Sequence, residues 1–257
     1  MNNIIEIKNL YKNYQTKKEE INVLKNINLN IKEGELISLV GESGVGKSTL
    51  LSIISGLENI SSGTIKKKDN IVISYMLQDN SLMPYLNVLD NCLLSLKIKK
   101  IYNKNSKKDI INLLNKYGLK DYIYSYPNEL SGGQKQRVSL VRALSVKPDI
   151  LLLDEPFSKL DYKTKKDISL DIKRIVKENN ITMIMVTHDI EDAVNLSDKV
   201  IVLSKKNKSI KNRYVINYDN KTNDIFLKYY NMIWRDLNDV RWKKNIFKKK
   251  KKRKHNY

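Results

Sequence analysis

The segment Gly41-Glu42-Ser43-Gly44-Val45-Gly46-Lys47-Ser48-Thr49 has the spacing G-x-x-x-x-G-K-[ST]. Glycines there allow backbone turns that a Cβ would block, so successive N–H groups can aim at one phosphate-sized anion. A helix starting at the end of the loop adds the positive end of its dipole. Lys47 is placed to reach the β- and γ-phosphates of a nucleotide, and Ser48 to offer its hydroxyl to Mg²⁺. An apolar run over residues 36–40 leads into the loop and the helical LLSIISGL follows it. A chance match in a Gly/Ser turn would lack that context.

Four apolar residues, 150–153, run into Asp154 and Glu155. The C-terminal end of such a strand is where open α/β sheets place their ligands. Asp154 is suited to hold a Mg²⁺ shell, and Glu155 to polarise an attacking water as general base. His188 follows a third apolar run, 181–186, and Thr187. A lone histidine is usually structural, but this one stands at a neighbouring strand end facing the same crevice, which favours a γ-phosphate contact. Together these residues describe a site that hydrolyses a nucleoside triphosphate.

Parallel strands are expected at 36–40, 150–153, 181–186 and 200–203, with a helix over 164–178 between two of them. Strand, helix, strand at this spacing gives right-handed βαβ units. Short alternating segments at 4–7 and 23–31 predict antiparallel strands near the start. A helical stretch is expected from about 87 to 126. Ser106 is read as a helix cap, with Asp109 three residues on and Ile110, Leu113, Leu114 and Tyr117 as the apolar face. After about Ser204 the pattern weakens, and a last helix is expected over 224–240. The fold class is thus α/β: a phosphate-loop nucleoside-triphosphatase core with a parallel sheet, an N-terminal antiparallel β subdomain and a helical insertion. Residues 1–204 read as the nucleotide-binding domain with the insertion at about 87–145, 205–240 as an extension, and 241–257 as a basic disordered tail.

The 257 residues hold 48 Lys+Arg against 28 Asp+Glu, a net charge of +20. Residues 241–257 carry ten basic and no acidic side chains, half of that excess. An anionic lipid, a nucleic-acid backbone or another protein would each suit such a tail. Its plainer reading is a solvated segment in a chain biased to Lys, Asn and Ile throughout. A single cysteine, Cys92, argues against a disulfide scaffold and is read as a small core residue. Apolar runs are too short to cross a bilayer, and the first residues lack a secretory pattern, so a reducing cytoplasmic location is expected.

Between the two phosphate-site motifs lies Leu130-Ser131-Gly132-Gly133-Gln134-Lys135-Gln136-Arg137. With LSGGQ between a phosphate loop and LLLDEP, the chain resembles the ATP-binding subunits of ABC transporters, over roughly residues 3–203. The glycines open a helix, expected over 136–143, whose free N–H groups again face an anion. The resemblance implies that this anion is the γ-phosphate bound by a second ATP-binding subunit, identical or not, so that two chains sandwich two ATP molecules. It implies that Tyr14 stacks on adenine, that Gln78 touches the metal and its water, and that Asp161 belongs to a loop crossing the dimer. Ser131, Gly132, Gly133 and Gln134 would meet nucleotide, Glu155 would be the base and His188 the switch. Lys159 replaces the small residue usual beside Asp161.

The segment Met76–Tyr85 is similar to importers of the nitrate/sulfonate/taurine group, with Tyr85 in place of a Trp. The implied function is ATP hydrolysis that powers import through a membrane permease, fed by an extracellular solute-binding protein, from the cytoplasmic face of the membrane. The alternatives are an exporter or lipoprotein-release ATPase, and a non-transport ABC ATPase acting on nucleic acid or ribosomes. The last commonly has two ATP domains or a coiled-coil insertion, so nucleic acid is not expected as a partner.

Overall fold

The computed structural model describes residues 2–17, 19–79, 81–216 and 223–238. In chain order the elements are β1 (Asn3–Gln15), β2 (Glu20–Lys32), β3 (Leu36–Val40), α1 (Lys47–Ser55), β4 (Ser62–Lys67), β5 (Ile73–Met76), α2 (Val88–Ile98), α3 (Ser106–Lys116), α4 (Gly132–Leu144), β6 (Ile150–Asp154), α5 (Tyr162–Glu178), β7 (Thr182–Val186), α6 (Ile190–Leu196), β8 (Lys199–Ser204), β9 (Ser209–Val215) and α7 (Asn223–Leu237). An antiparallel sheet runs β2-β1-β4, and a six-stranded sheet runs β5-β6-β7-β3-β8-β9. Neighbours from β5 to β8 pair parallel, whereas β9 lies antiparallel on β8. The large sheet is therefore mixed and not wholly parallel.

Both opening strands are longer than the alternation suggested, because each contains a break in phase. Ile5, Ile7, Leu10 and Lys12 are buried on β1, and Leu24, Ile27, Leu29 and Ile31 on β2. The switch from odd to even numbers on β1 and from even to odd on β2 falls at Asn9 and Asn26, whose φ values are 47° and 51°. The register slips between Ile7 and Leu10 at the same place. A bulge adds one residue and turns the following side chains to the other face. It also brings β4 close: a Cβ on Gly63 would lie 2.1 Å from the Asn9 carbonyl oxygen.

Every residue of β3, β6 and β7 is buried. Their continuous apolar runs follow from having both faces covered. Leu151, Leu153, Met183 and Met185 pack with the helical layer, including Val138, Val141, Ile172 and Val176. Ile37, Leu39, Leu152 and Ile184 face α1 and the antiparallel sheet, against Leu50, Ile54 and Ile5. Under α6, Ile233 of α7 joins Val194, Val200 and Val202. Cys92 is buried as expected.

Four boundaries differ from expectation. Helix α4 begins at Gly132, four residues early, because a serine cap starts it. Helix α5 begins at Tyr162, after the Asp161 cap. Ser106 is the first residue of α3 and not its cap; its Oγ instead accepts the Asn103 N–H at 2.9 Å. Helix α7 stops at Leu237, and Val240 and the basic residues 241–257 lie outside the described residues.

Leu152 sits on β6 between β5 and β7 with no exposed surface. Truncation to alanine removes that burial and leaves a cavity. Leu152→Ala is expected to destabilise the fold by about 2–5 kcal/mol in urea denaturation, with the m-value unchanged.

Candidate functional site

Strand β3 lies between β7 and β8, so the loop after Val40 emerges at the middle of the sheet's C-terminal edge. Gly44 and Gly46 have φ of 73° and 101°. Gly46 is also crowded: a Cβ there would lie 2.8 Å from Leu24 Cδ2 and 3.1 Å from Val23 Cγ1. At Gly41 a Cβ would meet Val45 Cγ1 at 2.8 Å and the Leu203 carbonyl at 3.1 Å. Glu42, Ser43, Gly44 and Ser48 are exposed, and Thr49 is half-buried. No side chain caps α1 and no acidic residue stands in its first turn. Its N-terminal N–H groups thus have no carboxylate to compete with an incoming anion.

Lys47 turns back into the loop, where its buried Nζ donates to the Gly41 and Glu42 carbonyls at 2.7 and 3.0 Å. Burial lowers its pKa, opposed by the charges of Glu155 and Asp154. Asp154 ends β6, buried beneath this loop. Tyr75 donates to its Oδ2 at 3.3 Å, and the nearby Ser48 hydroxyl helps to hold down the pKa of this carboxylate. Its other oxygen, Oδ1, is buried without a donor. A carboxylate oxygen left open next to a serine hydroxyl fits a hard divalent cation such as Mg²⁺.

Glu155 has φ 48°, the left-handed region, which a glutamate adopts only at a cost of about 1–3 kcal/mol. Its N–H donates to Val186 O at 3.0 Å, and its carbonyl accepts from Gln136 Nε2 at 3.0 Å. The carboxylate meets both remaining groups: Gln78 Nε2 donates to Oε2 at 3.3 Å, and His188 Nδ1 lies 3.4 Å from Oε1. Gln78, Asp154, Glu155 and His188 therefore gather beside Lys47 and Ser48.

The other expected residues stand apart. Ser131 caps α4 in a capping box: its Oγ accepts the Gln134 N–H at 3.2 Å, and Gln134 Oε1 accepts the Ser131 N–H at 2.7 Å. Among the described residues, no hydrogen bond or ion pair joins residues 131–134 or Tyr14 to residues 41–49. Gly133 packs closely on the next loop, where its Cβ would come 3.1 Å from Leu160 Cδ2. Asp161 caps α5 through the Thr164 N–H at 3.0 Å. Tyr14, half-buried on β1, has Lys12 Nζ 4.6 Å from its ring centre. Gln136 carried no role in the sequence reading. It is buried, and besides holding the Glu155 carbonyl it accepts the Lys159 N–H at 3.3 Å. Its place two residues past LSGGQ was the available signal.

Burial raises the pKa of Asp154, helped by Glu155 and opposed by Ser48, Tyr75 and Lys47. A raised folded-state pKa means that stability is greatest below the ordinary carboxylate pKa of 3.8 and falls as pH rises through the raised value. Asp154→Asn keeps the neutral shape at all pH. Without nucleotide or divalent cation, it is expected to raise the urea midpoint at pH 8, with the gain vanishing toward pH 4.

A family model described as ABC transporter matches residues 24–158. The spermidine/putrescine import ATP-binding protein PotA of Mycoplasma capricolum is 41% identical over 213 residues, 79% of this chain and 60% of that protein. The chain thus spans well under two thirds of the length of that relative. An uncharacterised ABC transporter ATP-binding protein of Bacillus subtilis, YtlC, is 37% identical over 243 residues, 88% of this chain and 93% of its own length. Among solved structures, a dimeric ATP-binding cassette in a post-hydrolysis state with ADP and Pi superposes with a TM-score of 0.76. It is 33% identical, covering 83% of this chain and 99% of its own. The nitrate/sulfonate/taurine likeness read from residues 76–85 finds no counterpart in these names. On matched length, identity and fold together, the chain belongs to the ABC transporter family, with the fold of its ATP-binding cassettes.

Proposed function

We propose that this chain is the ATP-hydrolysing subunit of an ABC importer, working as a dimer with a second ATP-binding subunit. The observation that carries the reading is the gathering of Lys47, Ser48, Asp154 and Glu155 at the ends of β3 and β6, with Gln78 and His188 around the Glu155 carboxylate. An incoming β,γ-phosphate takes the place of the loop carbonyls as acceptor for Lys47, and the open N–H groups of α1 hold its oxygens. Ser48, Asp154 and Gln78 are the side chains to hold Mg²⁺, which when bound supplies charge stabilisation at the phosphoryl oxygens. Glu155 orients and deprotonates the attacking water, and His188 donates toward the γ-phosphate. Tyr14 stacks on adenine. Ser131, Gly132, Gly133 and Gln134 face the γ-phosphate held by the partner, and Asp161 lies at the seam. Among the described residues, the chain's own signature segment makes no hydrogen bond or ion pair with its own phosphate loop, which supports a shared site.

Import is supported by the names of the PotA relatives. The partners are a transmembrane permease, with this subunit peripheral on its cytoplasmic face, and indirectly an extracellular solute-binding protein. Tyr85, 72% exposed, offers a contact for the permease. Its loop is clamped from below by buried Asn91, which accepts the Met83 N–H at 2.8 Å and donates to the Met83, Leu86 and Asn87 carbonyls. The cargo is a small solute bound by the other components. A polyamine is the first to test, given the relatives' names, while a nitrate- or sulfonate-type cargo has only the loop's likeness behind it. No described helix is long and apolar enough to cross a membrane.

Glu155→Gln is expected to bind ATP normally, lose turnover by roughly 10²–10⁴-fold and accumulate a nucleotide-bound dimer in size-exclusion chromatography. Sustained turnover would remove Glu155 as the base. Lys47→Ala is expected to abolish ATP binding in calorimetry, since the loop loses its cation; unchanged affinity would contradict the phosphate-site assignment.

A further inference from the structure

The roles above leave unused a half-buried charge cluster beneath His188, in which Asp192 alone is buried. Lys165 stands on the first turns of α5, and its N–H donates to Asp161 O at 2.8 Å, closing the helix that Asp161 caps. Its side chain crosses to α6, where Nζ lies 2.5 Å from Asp189 Oδ2 and 2.9 Å from Asp192 Oδ2. Asp189 follows His188 directly. Its Oδ1 caps α6 through the Glu191 and Asp192 N–H groups at 2.8 and 3.4 Å, while its own N–H donates to Thr187 Oγ1 at 3.0 Å. One carboxylate thus shapes the turn with one oxygen and takes Lys165 with the other. The His188 side chain is 68% exposed, and Glu155 is the charged group it meets among the described residues, so this turn sets where the imidazole stands. Glu155, Leu160, Lys165, His188, Asp189 and Asp192 line one small cavity. Burial pushes the Asp192 pKa up to about 6, although Lys165 opposes it, as expected where one ammonium serves two carboxylates.

We propose that Lys165 is a positioning residue for hydrolysis, fastening the turn that carries His188 to the helix that begins at Asp161. The γ-phosphate side of one site and the loop at the dimer seam then move as one body. The inference rests on the reading of the chain as an ATP-hydrolysing dimer.

The test compares wild type, Lys165→Met, Lys165→Arg and Asp189→Asn, each as the full chain, in steady-state ATP hydrolysis and in ATP affinity by calorimetry. Asparagine keeps the cap oxygen, so α6 stays intact while its tie to Lys165 weakens. Lys165→Met and Asp189→Asn are expected to lose kcat by roughly ten- to a hundredfold, with KM and ATP affinity within about twofold of wild type. Lys165→Arg is expected to recover most of the turnover. Should Lys165→Met not fold, Asp189→Asn and Lys165→Arg carry the same comparison. Wild-type kcat in the weakened variants overturns the inference alone. So does a loss that appears equally in ATP affinity, or one that arginine does not restore. A wild-type chain that hydrolyses no ATP overturns the functional reading and this inference with it.

Discussion

The site depends on keeping an ammonium group inside a loop of glycines. Lys47 is buried, and without a phosphate its charge rests on the Gly41 and Glu42 carbonyls. That arrangement needs a backbone that doubles back within six residues, and the crowding at Gly41 and Gly46 leaves no room for a Cβ at either. It also needs rigid walls. β3 provides one by sitting between two parallel neighbours with every residue buried, and β2 provides another through Val23 and Leu24. The antiparallel sheet therefore shapes the phosphate loop directly, and its bulges at Asn9 and Asn26 are what let long strands keep their apolar side on this core.

Two adjacent carboxylates must then serve one crevice, which regular strand geometry forbids. Successive side chains of a strand point to opposite faces. The left-handed conformation of Glu155 breaks that alternation just after Asp154. Asp154 stays within the sheet and reaches Ser48, while Glu155 turns out to meet Gln78 and His188. Both charges still oppose the fall that burial causes in the pKa of Lys47. The strain is held by main-chain bonds from Glu155 to Val186 and to the Gln136 side chain, which fix the direction of the carboxylate proposed as the base.

What could be read from the residues in advance was whatever is local. The phosphate loop, the apolar strands 36–40 and 150–153, and the acidic pair each declare themselves within a few positions, and their order implied the layered sheet. Strand β9 escaped because its exposed, half-buried pattern on an antiparallel edge carries no apolar run. The bulged strands were cut short because a one-residue insertion reverses the alternation that marks a strand. Helix α4 starts ahead of residue 136 because the capping box of Ser131 and Gln134 places both glycines inside its first turn instead of before it. Gln136, Asn91 and Lys165 act across 19 or more residues or through backbone carbonyls, and apart from the place of Gln136 just past LSGGQ nothing local marks such a polar side chain as tied down.

The signature helix shows how these pieces connect. Its capping box uses the third N–H of the helix, that of Gln134, and leaves those of Gly132 and Gly133 at the exposed end. A helix ended this way is stable by itself yet still offers two donors and a dipole to an anion. Two residues further along, Gln136 bonds both the Glu155 carbonyl and the Lys159 N–H, while Gly133 packs on Leu160. Through these contacts α4, the 159–161 loop and the strained Glu155 form one connected unit. In the proposed dimer, the segment facing one nucleotide is joined to the carboxylate facing the other by a helix, one buried amide and one turn.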